Sequence, residues 1–104
     1  MIKIKRFDES FRYPKQVNSQ EFMKKKSTHK MVDFSTLERK QVREILYAKR
    51  FDYSFSGEYF EIHRRPPVEV VKYTDDWFTI IEGTSGPFYI CDEFEEVLSY
   101  LRQL

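Results

Sequence analysis

The sequence predicts an α+β fold: N-terminal helices, then a four- to five-stranded antiparallel meander, then a C-terminal helix packed on the sheet. Three observations carry that prediction. Apolar residues recur at helical spacing over Thr36–Arg50 and again after residue 92. Between those stretches they recur every second residue, in short runs broken by turn-forming residues. The connections between those runs are too short for parallel crossovers, so the strands are antiparallel.

The elements follow in order. Ile2-Lys3-Ile4-Lys5-Arg6-Phe7 alternates apolar and basic residues and predicts a half-exposed strand, its lysines suiting a sheet edge. Pro14 ends whatever Phe11–Tyr13 forms. Asn18 with Glu21 three residues on has the capping-box spacing, so a short helix should run to Lys26. Lys24-Lys25-Lys26 would then sit at its C-terminal end, where cations complement the helix dipole. Ser35-x-x-Glu38, preceded by Phe34, is a clearer capping box. Thr36–Arg50 has no Gly or Pro and is rich in helix formers. Leu37, Val42, Ile45, Leu46 and Ala48 share one broad side of that helix. Arg39, Arg43, Tyr47 and Arg50 fall within about 80° of each other on a different side.

From residue 51 the period becomes two. Phe51, Tyr53 and Phe55 form a first run, and Ser56-Gly57 marks a turn. Further strands are expected over Tyr59–Arg64, Val68–Tyr73, Trp77–Glu82 and Phe88–Cys91. Asp92 is the expected N-cap of the last helix, in which Phe94, Val97, Leu98 and Leu101 follow helical spacing. The acidic residues of its first turn have a structural cause, because the positive helix end favours them. The expected core is Val42, Ile45, Leu46, Phe60, Ile62, Val70, Phe78, Ile80, Phe94, Leu98 and Leu101. Alternation sets Trp77 opposite to Phe78.

Composition bounds the function. Ten Phe, seven Tyr and one Trp can fill a core, which excludes disorder for most of the 104 residues. One domain, residues 1–104, is expected, with roughly 65% of its unfolded surface buried. No apolar run approaches the roughly 18 residues of a membrane span. With Cys91 as the one cysteine, neither an internal disulfide nor a multi-cysteine zinc site can form. An intracellular, cytoplasmic protein without membrane attachment is the expectation.

The net charge of +1 conceals a split. The helix-rich residues 1–50 hold fourteen Lys and Arg against six Asp and Glu; the strand-rich residues 51–104 hold four against eleven. A basic half of +8 and an acidic half of −7 point to a charged partner for one of them, or to each other across a homodimer.

Catalytic and cofactor signatures are absent from the sequence. His29 and His63 have no serine or cysteine brought to them by sequence spacing, and the adjacent carboxylates of Asp75-Asp76 and Glu95-Glu96 point in different directions. The two histidines and Cys91 match no metal-ligand spacing, and there is no calcium loop, phosphate loop or dinucleotide fingerprint. No cofactor and no metal are expected. Cys91, before a helix N-terminus, is the one candidate nucleophile, against its reading as a small buried hydrophobe.

The leading reading is a non-enzymatic module that binds nucleic acid or a nucleoprotein through the basic half. Lys24, Lys25, Lys26, Arg39, Arg43 and Arg50 would contact phosphates and Tyr47 would offer a ring for stacking. His63-Arg64-Arg65 adds positive charge at a strand end. The pI of about 7.8 runs against this reading. The alternative is a protein-binding inhibitor or adaptor, of the kind viruses and mobile elements encode, that docks a basic protein surface through Glu58, Glu61, Glu69, Asp75 and Asp76. A third reading is a small enzyme using Cys91 or scattered carboxylates.

Overall fold

A computed structural model describes residues 12–104. The expected strand over residues 2–7, with Lys5, Arg6 and Phe7, lies outside the described residues. The described elements are β1 (Lys15–Val17), α1 (Ser19–Ser27), α2 (Thr36–Ala48), β2 (Asp52–Ser56), β3 (Tyr59–His63), β4 (Val68–Tyr73), β5 (Trp77–Glu82), β6 (Phe88–Cys91) and α3 (Phe94–Gln103). The six strands form one antiparallel sheet in the order β1-β6-β5-β4-β3-β2. Five are the expected meander. The sixth is β1, which the reading of Pro14 as a breaker missed. Pro14 precedes the strand, where its missing N–H costs no ladder bond.

Register assigns each sheet residue to a face. Phe60, Val70, Ile80 and Tyr89 are cross-strand partners, as are Lys72, Phe78 and Cys91. This face carries the main core, closed by Phe34, Val42 and Leu46 around α2 and by Val97, Leu98, Tyr100 and Leu101 of α3. The opposite face carries Tyr59, Val71, Thr79 and Ile90 in one row and Glu61, Glu69, Ile81 and Phe88 in the next. Trp77 belongs here, 5% exposed and stacked on Tyr73 at 4.6 Å. Helix α1 covers the β6 side of this face through Phe22, whose ring lies 4.7 Å from that of Phe88. The chain from α1 to α2 then crosses one end of the sheet, held by Val32 N–H to Lys72 O, Thr74 N–H to Lys30 O and Phe34 N–H to Gly57 O. Thus α1 and α2 lie on opposite faces.

Helix boundaries follow their capping chemistry. Asn18 Oδ1 accepts from Glu21 N–H at 2.8 Å. Ser35 and Glu38 form the full reciprocal box. The last helix starts one residue later than expected: Glu93, not Asp92, is its N-cap, without a side-chain cap bond. Glu96 reaches back instead and accepts from Asp92 N–H at 3.0 Å. Ile45 and Phe94 pack against the core only partly buried. Leu37 (64% exposed) and Ala48 are solvent-facing. The buried centre of α2 is Val42 and Leu46, and Leu37 and Ala48 lie about 160° and about 140° around the helix from its midpoint.

Candidate nucleic-acid interface

Helix α2 ends two residues before Arg50, and that end builds the site. Arg50 N–H bonds Tyr47 O and Phe51 N–H bonds Leu46 O, the paired closure of a Schellman motif. This closure puts Arg50 in the left-handed region, φ 63, a position that usually takes glycine. Phe51 packs against the core beside it. The chain then enters the edge strand β2, where Tyr53 and Phe55 turn toward α2 and Asp52, Ser54 and Ser56 toward the other face.

Two adjoining hollows lie between α2 and this edge. One, of about 490 Å³, is lined by Arg39, Lys40, Arg43, Glu44 and both Tyr47 and Tyr53. The other, of about 910 Å³, is lined by Tyr47, Arg50, Phe51, Asp52, Tyr53 and His63. Tyr47 stands between them, 85% exposed. The arginines are oriented by uncharged groups. Arg39 donates from Nε and Nη2 to Phe34 O at 3.4 and 3.3 Å, and the Arg43 guanidinium sits 5.4 Å from the Phe55 ring centre. No cation of these hollows is in an ion pair among the described residues; the ion pairs there are Arg12–Glu93, Lys72–Glu38 and Lys72–Asp76.

The structure therefore brings Arg39, Arg43, Tyr47 and Arg50 together and adds Lys40, Tyr53 and His63, which the helix pattern alone did not gather. It separates the lysine run. Lys24, Lys25 and Lys26 belong to α1 on the opposite face, with Lys25 Nζ 5.0 Å from the Trp77 ring and Lys26 Nζ 5.2 Å from that of Phe22. The seven residues do not share one surface.

The acidic residues of the alternative reading are also distributed. Glu61 and Glu69 are direct cross-strand neighbours on the face away from α2. Glu58 lies in the β2–β3 turn, where its carbonyl accepts from Lys72 N–H. Asp75 and Asp76 form the tight β4–β5 turn with φ of 69 and 59, which is the turn chemistry aspartate favours.

For catalysis the geometry gives little. Cys91 is fully buried. Burial pushes its thiol pKa well up, and Glu96 and Asp92 push it further, so it stays protonated. The reading of Cys91 as a nucleophile is corrected: the helix end that would have lowered its pKa is outweighed by desolvation. One pairing escaped the sequence. Register sets Ser54 Oγ 2.9 Å from His63 Nε2. Both side chains are exposed, and no other described group is bonded to that imidazole. The pair lacks the third group and the shielding that activate a serine. Among the described residues no group of three or more His, Cys, Asp or Glu could hold a metal ion, and no helix is long and apolar enough to cross a membrane.

In comparisons with known proteins, no family model, no curated protein and no solved structure matches the chain.

Proposed function

We propose that the chain is a binding module whose partner is nucleic acid, held on the α2–β2 surface. The observation that supports this reading is the set of cations free of ion pairs among the described residues, Arg39, Lys40, Arg43 and Arg50, gathered around the exposed Tyr47. Phosphates need cations for affinity, and a flat exposed ring offers a base a stacking surface. The near-neutral pI does not weigh against a local patch, because screening limits each charge to about 8 Å at physiological salt.

The test is fluorescence anisotropy of labelled oligonucleotides at about 50 and 200 mM salt. If three arginines each neutralise one phosphate of a single strand, log K falls with log salt at a slope of about −2, and affinity drops about 20-fold between those two concentrations. The variant Arg39→Gln/Arg43→Gln/Arg50→Gly should abolish binding. Glycine at position 50 removes the cation and suits the left-handed backbone there. Salt-independent binding, or binding unchanged in the triple variant, would refute the proposal.

A second reading has one specific observation behind it. Glu61 opposite Glu69 is a like-charge cross-strand pair, which a sheet face tolerates at a cost. A cationic protein partner would relieve it. Binding of an oligolysine peptide that is lost in Glu61→Gln/Glu69→Gln would favour this reading over the first.

A further inference from the structure

We infer that the strand taken by the α2–β2 surface is unpaired, and that Tyr47 is the ring on which one of its bases stacks; this rests on the nucleic-acid reading above. Tyr47 is the most exposed of the described large apolar side chains, at 85%. Its neighbours on the stripe are not free in the same way. Arg39 is bonded to the Phe34 carbonyl and Arg43 lies over Phe55. A phenol ring left in water gains apolar contact when it is covered, and a base offers it a flat face of matching shape.

Position adds to exposure. Tyr47, together with the half-buried Tyr53, forms the shared wall of the two hollows, with Arg39, Lys40 and Arg43 on one side and Arg50 on the other. A strand running along α2 would meet cations before and after the ring, and a base between those phosphates would lie over it. In a duplex the faces of the bases are covered by their neighbours in the stack. Tyr47 would then receive nothing, and the cations alone would act. Each hollow also holds one carboxylate, Glu44 in the first and Asp52 in the second. Carboxylates repel phosphate but accept hydrogen bonds from exocyclic amino groups, and unpaired bases also free the amino hydrogens that pairing would use.

The experiment compares one short sequence as a labelled single strand and as its blunt duplex, with wild-type protein, Tyr47→Ala and Tyr47→Phe. Tyr47 is exposed enough that neither change threatens the fold. The single strand should bind at least about tenfold more tightly than the duplex. Tyr47→Ala should weaken the single strand by roughly 5- to 150-fold, the range measured for loss of a stacking ring, while leaving the salt slope unchanged. Tyr47→Phe should retain binding. A 2-aminopurine placed in the strand should change its emission on binding to wild type and not on binding to Tyr47→Ala. If the duplex binds as tightly as the single strand and Tyr47→Ala costs nothing, this inference falls and the nucleic-acid reading stands on phosphate contacts alone. If neither form binds at about 50 mM salt, both fall.

Discussion

Lys72 points into the core side of β4, 7% exposed, and its ammonium donates to Glu38 Oε1 at 2.8 Å. The same oxygen accepts Ser35 N–H at 2.8 Å as the return bond of the α2 capping box. One carboxylate thus ties the first turn of α2 to the middle of the sheet. Lys72→Met keeps the alkyl volume and removes the charge. Breaking a fully buried pair costs about 3–5 kcal/mol, because the remaining charge is stranded. Here the Glu38 side chain is 18% exposed and keeps the Ser35 bond. Asp76, 3.7 Å from the ammonium but 85% exposed, contributes little. We therefore expect a loss of about 2–3 kcal/mol, which shifts Tm by about 10–20 °C in a domain of this size. Glu38→Gln is the matching single change, since glutamine also serves in a capping box. The double variant Lys72→Met/Glu38→Gln should recover about 2 kcal/mol of the summed losses, because neither charge is then stranded. Urea unfolding followed by Trp77 emission is the assay, the ring being buried and stacked on Tyr73. A Lys72→Met domain as stable as wild type, or a coupling energy below about 0.5 kcal/mol, would refute the reasoning.

Two further outcomes follow from the same geometry. Lys24→Gln/Lys25→Gln/Lys26→Gln removes as many charges as the arginine triple variant but from the opposite face, so it should leave nucleic-acid affinity within about threefold of wild type, as expected of charges beyond a Debye length; a loss matching the arginine variant in the anisotropy titration would show that one strand engages both faces. Burial first, with nearby acidic groups, raises the pKa of Cys91 and of Tyr100 above their ordinary 9.0 and 10.0. The folded state therefore favours their protonated forms. The stability they contribute is full below pH 9 and is lost as pH rises past those ordinary values, by up to about 1.4 kcal/mol per pH unit per group; Cys91→Ala should flatten the fall between pH 9 and 10 in urea titrations, and an unchanged slope there would contradict the assignment.

The strands were legible because their burial is one-sided or their ends are punctuated. Gly57, Pro66-Pro67, Thr74–Asp76 and Gly83–Pro87 all fall between observed strands. Both N-terminal helices were legible from their caps. Less legible was any residue whose burial depends on a distant segment. Phe34 is 1% exposed because Phe55, Phe60 and Phe78 of three strands converge on it, and its place before the Ser35 cap does not by itself reveal that burial. Trp77 is covered by Lys25 of α1 and by His29 just after it, about fifty residues earlier in the chain. The three-residue β1 is too short to show a period at all.

The candidate site shows the same division. Arg39, Arg43 and Tyr47 were found because a helix turns spacing into a face, which needs no knowledge of the rest of the fold. Tyr53 and His63 were not, because they reach the hollows through the pairing of β2 with β3, and register is a long-range property. The charge split misled for that reason too. It treats residues 1–50 as one surface, whereas the chain between α1 and α2 crosses the end of the sheet and sends the lysines to one face and the arginines to the other. A strand from the acidic half, β2, then completes the basic groove. A charge sum over a stretch of sequence can set the expectation that a charged site exists, but only the crossing from α1 to α2 decides which of those charges can act on the same ligand.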